Sequence, residues 1–368
     1  MSYFLHFFST RPTKGLLFLF LFLGVLLGSC TNQQRSRLAV TPSAYGKVDH
    51  IMVVSDEYTW NTTIGDTFRN AFEALYPVTP QPEPLYDLRF KTPKEFKEGK
   101  IFRTFRSIVI MGVLDDENDG ATALIKRAIG EENVQRAYQD ANYTIAIHRN
   151  RWAQGQTIVY WFAPTRSALL ETVANDYQWV MDQFNEADTK RFIEQIYAGG
   201  QNVKASKAVL DLFDVSLKVP REYVLANVDS VSIWMRKETD KTSSNIFIYT
   251  LPIADSTQPN PERHQYIRDK LTKQYFSTHI EDSYMRIDDR YLPIYYQTMT
   301  FDGKPTLQAR GLWGMVNDFM GGSFVSYMML DEEHNRVLFL DGFVHAPGQK
   351  KRPEMRKLDM IFSTLVVQ

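Results

Sequence analysis

An α/β N-terminal layer sandwich, followed by an α+β domain with a mainly antiparallel sheet, is the fold class this sequence predicts. Three observations predict it. Between residues 46 and 200, short apolar runs alternate with segments of helical spacing, the mark of strands layered against helices. Past Gly199-Gly200, strand-like runs follow one another with two helices among them. Residues 1–45 carry neither pattern and stand outside both domains.

The first domain, residues 46–200, reads in order as follows. Residues 50–55 (His-Ile-Met-Val-Val-Ser) form a short apolar, β-branched run, a buried strand. Residues 62–75 place Ile64, Phe68, Phe72 and Leu75 at helical intervals, with Thr62 or Thr63 as N-cap. Pro77, Pro80, Pro82 and Pro84 end that helix and force an extended crossing. A strand is expected at 85–90, a helix at 93–105, a second apolar strand at 107–114 and one helix over 121–141. Residues 143–149 and 157–162 pair as a hairpin around Ala153-Gln154-Gly155-Gln156, and an amphipathic helix covers 165–184.

The second domain, residues 201–368, opens with strands at 215–219, 230–236 and 245–252. Pro259 and Pro261 lead into a helix over 262–276. Strands at 292–301, 308–313 and 324–330 follow, and another at 336–344 lies across the turn from Asp331 to Asn335. A final helix over 352–366 turns Met355, Leu358, Ile361, Phe362 and Leu365 inward.

Residues 1–29 have the three parts of a secretory signal peptide. A basic start carries Arg11 and Lys14, residues 15–27 are unbroken apolar, and Gly28-Ser29 precede the one cysteine, Cys30. The apolar run is shorter than the roughly 20 residues a membrane-spanning helix needs. Leu27-Gly28-Ser29-Cys30 resembles the lipobox of bacterial lipoproteins, which implies cleavage between Ser29 and Cys30 and acylation (palmitate) of the thiol. Residues 30–45 then act as a polar tether. They hold no acid next to the cysteine, which favours a periplasm-facing outer-membrane location. Removing residues 1–29 leaves 40 Lys+Arg against 43 Asp+Glu, a near-neutral chain that argues against a nucleic-acid partner. With Cys30 acylated, neither a disulfide nor a thiol nucleophile is available.

The second domain carries Arg310-Gly311-Leu312-Trp313, then Met320-Gly321-Gly322-Ser323-Phe324-Val325-Ser326. Gly342-Phe343-Val344-His345-Ala346-Pro347 and Lys351-Arg352 follow. The first carries Ile51-Met52-Val53-Val54-Ser55-Asp56, Trp60, and Pro80-Gln81-Pro82-Glu83-Pro84-Leu85. In these the chain resembles an uncharacterised lipoprotein family of Bacteroidota, known as a domain of unknown function. Ser323 stands where the family pattern has proline. The resemblance implies a lipoprotein of that phylum and supplies no activity, cofactor or catalytic residue.

No chemical motif completes itself. Asp115-Asp116-Glu117-Asn118-Asp119-Gly120 starts like a calcium loop, but the twelfth position, which needs a bidentate Glu, is Lys126. It reads as a solvated acidic turn. His279 and Asp282 share a spacing but are two ligands at most, so no metal site is expected. Gly321-Gly322-Ser323-Phe324-Val325 lacks the closing glycine of a nucleophile elbow and leads into a strand. No Gly-x-Gly-x-x-Gly or Walker loop implies a cofactor. Arg268, Asp269 and Lys270 read as a solvated helix face.

Aromatics make up 13% of residues, enough to furnish stacking platforms as well as core. Trp60, Trp152, Trp161, Trp234 and Trp313, with Tyr291, Tyr295 and Tyr296, could furnish such platforms for a sugar or peptide, and core is the reading favoured for them by the area they bury. Trp313 lies close to small residues that would let a ligand approach. Trp313, Met320, Gly321, Gly322 and His345 are therefore the candidate ligand cleft. The expected function is a lipid-anchored binding or assembly module with an envelope protein or glycan partner. The alternative is an envelope-polymer hydrolase using carboxylates among Asp56, Asp282, Asp318 and Asp341.

Overall fold

The computed structural model describes residues 41–253 and 259–368. Ser29 and Cys30, the expected cleavage and lipidation sites, lie outside the described residues. So does the tether up to residue 40.

The first half is a three-layer α/β sandwich. β1 (His50–Val54) leads into α1 (Glu57–Trp60) and α2 (Thr63–Phe72), and β2 (Asp87–Lys91) into α3 (Pro93–Glu98). After β3 (Ser107–Val113) come α4 (Gly120–Ile129) and α5 (Glu131–Gln139). The hairpin β4 (Ile145–Arg149) and β5 (Thr157–Ala163) precedes the long α6 (Arg166–Ile196). The sheet order is β2-β1-β3-β5-β4, parallel except for the edge strand β4. Strands buried on both faces read as continuous apolar runs, and here alternate residues serve opposite layers. Ile51, Val53, Val109 and Trp161 pack on Phe68 and Phe72 of α2 and on Leu169 and Val173 of α6. Met52, Val54, Ile108 and Ile110 pack on Phe96, Ile125 and Val134 of α3, α4 and α5.

Five expected helices differ in length: the one expected at 62–75 ends at Phe72, the final one, expected over 352–366, ends at Phe362, and three more differ as follows. The one expected at 93–105 stops at Gly99, where a Cβ would lie 2.5 Å from the Phe102 ring, and continues as a 3-10 turn over Lys100–Thr104. The one expected at 121–141 breaks at Gly130, whose φ of +83° no other residue adopts cheaply. The one expected to end at 184 runs on to Ile196 and buries Asp188 and Phe192 in the process.

The second half is built on an eight-stranded sheet among the described residues. Its elements are α7 (Val203–Phe213), β6 (Val215–Ser216), β7 (Val224–Val228), β8 (Ser232–Glu238), β9 (Ser243–Pro252), α8 (Pro261–Tyr275) and β10 (Tyr284–Ile287). They continue with β11 (Tyr295–Phe301), β12 (Lys304–Val316), β13 (Gly321–Asp331), β14 (Arg336–His345), α9 (Arg352–Phe362) and β15 (Val366–Val367). The order is β10-β12-β13-β14-β9-β8-β7, antiparallel throughout, with β11 also on β12; β6 and β15 pair separately. Helix α8 covers one face, where Ile267 and Leu271 meet Phe247, Met328 and Phe339. Helices α7 and α9 cover the other, where Val209, Met355 and Leu358 meet Val325, Met329 and Leu338.

Arg268 is not on a solvated face: it is wholly buried under the sheet and forks onto Asp341, at 3.0 Å from Nε and 3.1 Å from Nη2. Its guanidinium also lies 3.6 Å from the Phe324 ring centroid. The helix spacing of Arg268 matches the inward face with Ile267 and Leu271, and the partner carboxylate comes from 73 residues away.

The halves are joined by residues 75–87, the proline crossing. The Glu83 carboxylate accepts from the backbone N–H groups of Lys351 and Arg352 at 2.6 and 3.0 Å, so it caps α9 from the other half. Arg352, 2% exposed, donates to the Pro84 carbonyl and to Asp87 Oδ2 at 2.8 Å. Arg356 pairs with buried Asp49, and Lys350 with Asp87 at 2.6 Å. Deeper in, Asp188 pairs with Arg191 at 3.1 Å; burial outweighs that partner and pushes its carboxyl up to about 6.

Candidate functional site

Between this crossing and the end of the large sheet lies an open cleft of about 1070 Å³. Residues 75–82 of the first half form one wall. The excursion from Asp288 to Tyr295, which interrupts the pairing of β10 and β11 along β12, forms another. The turn joining β12 to β13 and the segment after β14 close the rest. The floor is rich in glycine because the backbones meet there. A Cβ on Gly321 would lie 2.9 Å from the Trp313 carbonyl oxygen, and one on Gly322 would overlap the Val344 carbonyl.

The rim is apolar and exposed. Leu75, Tyr291, Leu292, Tyr295, Phe319 and Met320 are all at least a third open to solvent; Tyr291 is 82% exposed and Phe319 wholly so. Several charged and polar side chains in the cleft already have partners, in other side chains or in the backbone. Arg290 forks onto Asp288 with two contacts of 2.8 Å. Lys351 Nζ donates to Gln81 Oε1 at 2.9 Å, and Asp318 Oδ1 accepts from the Phe319 N–H at 2.7 Å. His345 Nδ1 lies 3.0 Å from the Gly321 carbonyl.

All five residues expected to form a ligand cleft (Trp313, Met320, Gly321, Gly322 and His345) line this one. Their roles differ from the expectation. Trp313 is only 3% exposed and packs on Phe343, and its Nε1 is buried without a partner. The exposed aromatic contacts are Tyr291, Tyr295 and Phe319. Of these, Phe319 carries no sequence signal, being a lone ring in a polar turn.

The four acids offered for hydrolysis do not converge. Asp318 lines the cleft, Asp341 is locked in the core on Arg268, and Asp56 caps α1 in the first half. Asp282 sits in a turn with φ of +55°. The acidic turn at 115–119 is also spent locally: Asp119 caps α4, Asp116 pairs with Arg166 at 2.6 Å, and Asp115 accepts from Tyr138 at 3.0 Å. Asp331, Glu333 and His334 lie close enough together to hold a cation. Lys304 reaches Asp331 and Glu333 at 3.0 and 2.8 Å, and Arg336 reaches Asp331 at 2.8 Å, so cationic side chains already occupy that cluster. Burial pushes the Asp331 carboxyl up, but the bonds from Lys304, His334 and Arg336 outweigh it and bring it down to about 2.

A serine–histidine contact without any local sequence signature joins Ser326 Oγ to His264 Nε2 at 2.5 Å. Both residues are wholly buried, so no dissolved substrate meets the serine. Burial, aided by Arg268, pushes the imidazole down to about 3, which keeps it neutral in the core.

Two family models match. Residues 44–197 match a domain of unknown function (DUF8532), and residues 202–364 match another (DUF4837). The chain carries two domains of unknown function. No curated protein matches it. Among solved structures it is similar to the Saccharomyces cerevisiae Ran-binding protein Mog1p, at 12% identity and a TM-score of 0.28. It is also similar to a point mutant of the protein Mog1, at 13% identity and the same score. Each likeness covers 42% of this chain and 90% of the other. Neither bears on what this chain does. Among the described residues, no helix is long and apolar enough to cross a membrane.

Proposed function

We propose that this chain is a lipoprotein of the bacterial envelope, of the Bacteroidota type, that binds a partner through the cleft between its halves. The single observation that carries the binding reading is the open cleft with an exposed apolar rim. Large apolar and aromatic side chains left open to water around one cleft are the kind of surface that interaction sites present. The anchor reading is supported by the signal-like residues 1–29 and the lipobox-like Leu27-Gly28-Ser29-Cys30. Acylation at Cys30 would hold the chain at a membrane surface, with residues 31–44 as tether, facing the periplasm from the outer membrane.

The test is expression of the full chain in a Bacteroidota host fed an alkyne fatty acid, followed by purification after mild cross-linking. The wild type is expected to carry label and a partner in stoichiometric amount. Cys30→Ala is expected to lose the label. A combined Phe319→Asp, Tyr291→Asp variant is expected to keep the label and lose the partner. An unlabelled wild type would overturn the anchor reading. A labelled wild type with nothing bound would overturn the binding reading.

A further inference from the structure

We infer that the cleft takes an uncharged, apolar stretch of another polypeptide, rather than a saccharide or a small polar ligand; this deepens the binding reading above and rests on it. Three features of the cleft carry the inference. The first is size: at about 1070 Å³ and open to solvent, the cleft stands at the top of the roughly 300–1,000 Å³ range of small-molecule sites and has room for several side chains of a peptide. Open grooves of that scale suit a chain that runs through them.

The second is charge. A saccharide is recognised by free hydrogen-bonding side chains set beside an aromatic face. Here Arg290 is neutralised by Asp288, Lys351 is turned onto Gln81, Asp318 accepts from the backbone and His345 faces the Gly321 carbonyl. What the rim offers instead is Phe, Leu, Met and Tyr, apolar and aromatic side chains of the kind that form the centre of protein interfaces. The lining charges, Asp288 and Asp318 against Arg290 and Lys351, sum to zero, so a segment carrying net charge would lose water there against no net counter-charge.

The third is rigidity. The wall at 75–82 is clamped at its far end by Glu83 on the α9 N-terminus and near its start by Tyr76, whose hydroxyl reaches Asp359 at 3.3 Å. The Leu75–Pro84 bridge closes the crossing on itself. A groove held in shape before binding saves the ordering cost that otherwise weakens association.

The experiment presents the full lipidated protein in nanodiscs to two probes: a displayed library of random dodecapeptides and a panel of neutral oligosaccharides. The library is expected to yield peptides with several large apolar residues and no charge. Their affinity is expected to fall about tenfold or more in Phe319→Asp, Tyr291→Asp, and to be unchanged in Trp179→Asp, an exposed ring on α6 outside the cleft. Thermal unfolding of the variants checks that each is folded. Selection of charged peptides, or loss of affinity only in Trp179→Asp, overturns the inference. Saccharide binding abolished by the Phe319 and Tyr291 changes overturns it while the binding reading survives. Concentration-dependent self-association through the same residues names a second copy as occupant and also overturns it. Binding of neither probe sinks both readings.

Discussion

Residues 75–87 have two faces, and the contrast between them separates what holds the molecule together from what it presents to a partner. From Glu83 to Asp87 the crossing is buried or half-buried, and its polar atoms are tied to the second half. Glu83 caps α9, and Pro84 and Asp87 receive Arg352. From residue 75 to 82 it borders an open, apolar cleft whose few charges, Asp288 and Asp318 against Arg290 and Lys351, sum to zero. The polar face costs a good deal to disrupt because buried charges left without partners cannot return to water. The exposed rim around the cleft costs little to alter because side chains such as Leu75, Tyr291 and Phe319 are already in water.

The largest expected effect follows directly. Arg352→Ala takes one cation from Asp49, which keeps Arg356, and one from Asp87, which keeps Lys350, and removes the donor to the Pro84 carbonyl; chemical denaturation should show a loss of about 2–3 kcal/mol. A loss below about 1 kcal/mol would mean that the junction does not hold the halves together.

Acidity probes the same junction more gently. The folded chain keeps the Asp188 proton up to about pH 6, whereas an unfolded aspartate releases it near its ordinary 3.8. Folding therefore takes up a proton in that window, and this group's contribution falls as pH rises from about 4 to 6, by up to about 1.4 kcal/mol per unit. His264 acts in the opposite sense. Its imidazole stays neutral down to about 3 while the unfolded ring protonates near 6.5, so its contribution falls as pH drops from about 6.5 toward 3. Comparing stability–pH curves of the wild type, Asp188→Asn and His264→Gln should show the slope change in opposite directions; changes of the same sign would refute the assignment.

Smaller still is the cap. Glu83→Gln keeps the shape but weakens the acceptor for two backbone N–H groups, and should cost about 1–2 kcal/mol by the same denaturation curve. At the cleft, Phe319→Asp should change stability by no more than about 0.5 kcal/mol. A large loss there would show that the exposed ring is part of the core rather than of a binding surface.

Much of the scaffold is legible in the chain because it rests on local signals. The runs at 50–54 and 107–113, the proline break after residue 76 and the hairpin at 145–163 all follow from neighbours in sequence. Helix α7 could have been found, since Ala205, Val209 and Phe213 repeat every four residues behind the Asn202 cap. β10 is only four residues long and offers too little pattern to read. What local pattern cannot carry is pairing at a distance. The burial of Arg268 depends on Asp341, and the cap on α9 depends on Glu83. The cleft is legible on its floor, where glycines crowd around Trp313, but not on its wall. Residues 75–82 read as a connection until the fold sets them opposite Phe319 and Tyr291.

The most direct measurement places a photo-reactive amino acid at Phe319 of the full chain, in living cells, and sequences the peptide cross-linked to it. One recurring partner segment, apolar and uncharged, is expected, and it is absent when the same group is placed at Trp179. Cross-links at Phe319 that are scattered, charged, or no more frequent than those at Trp179 would contradict it.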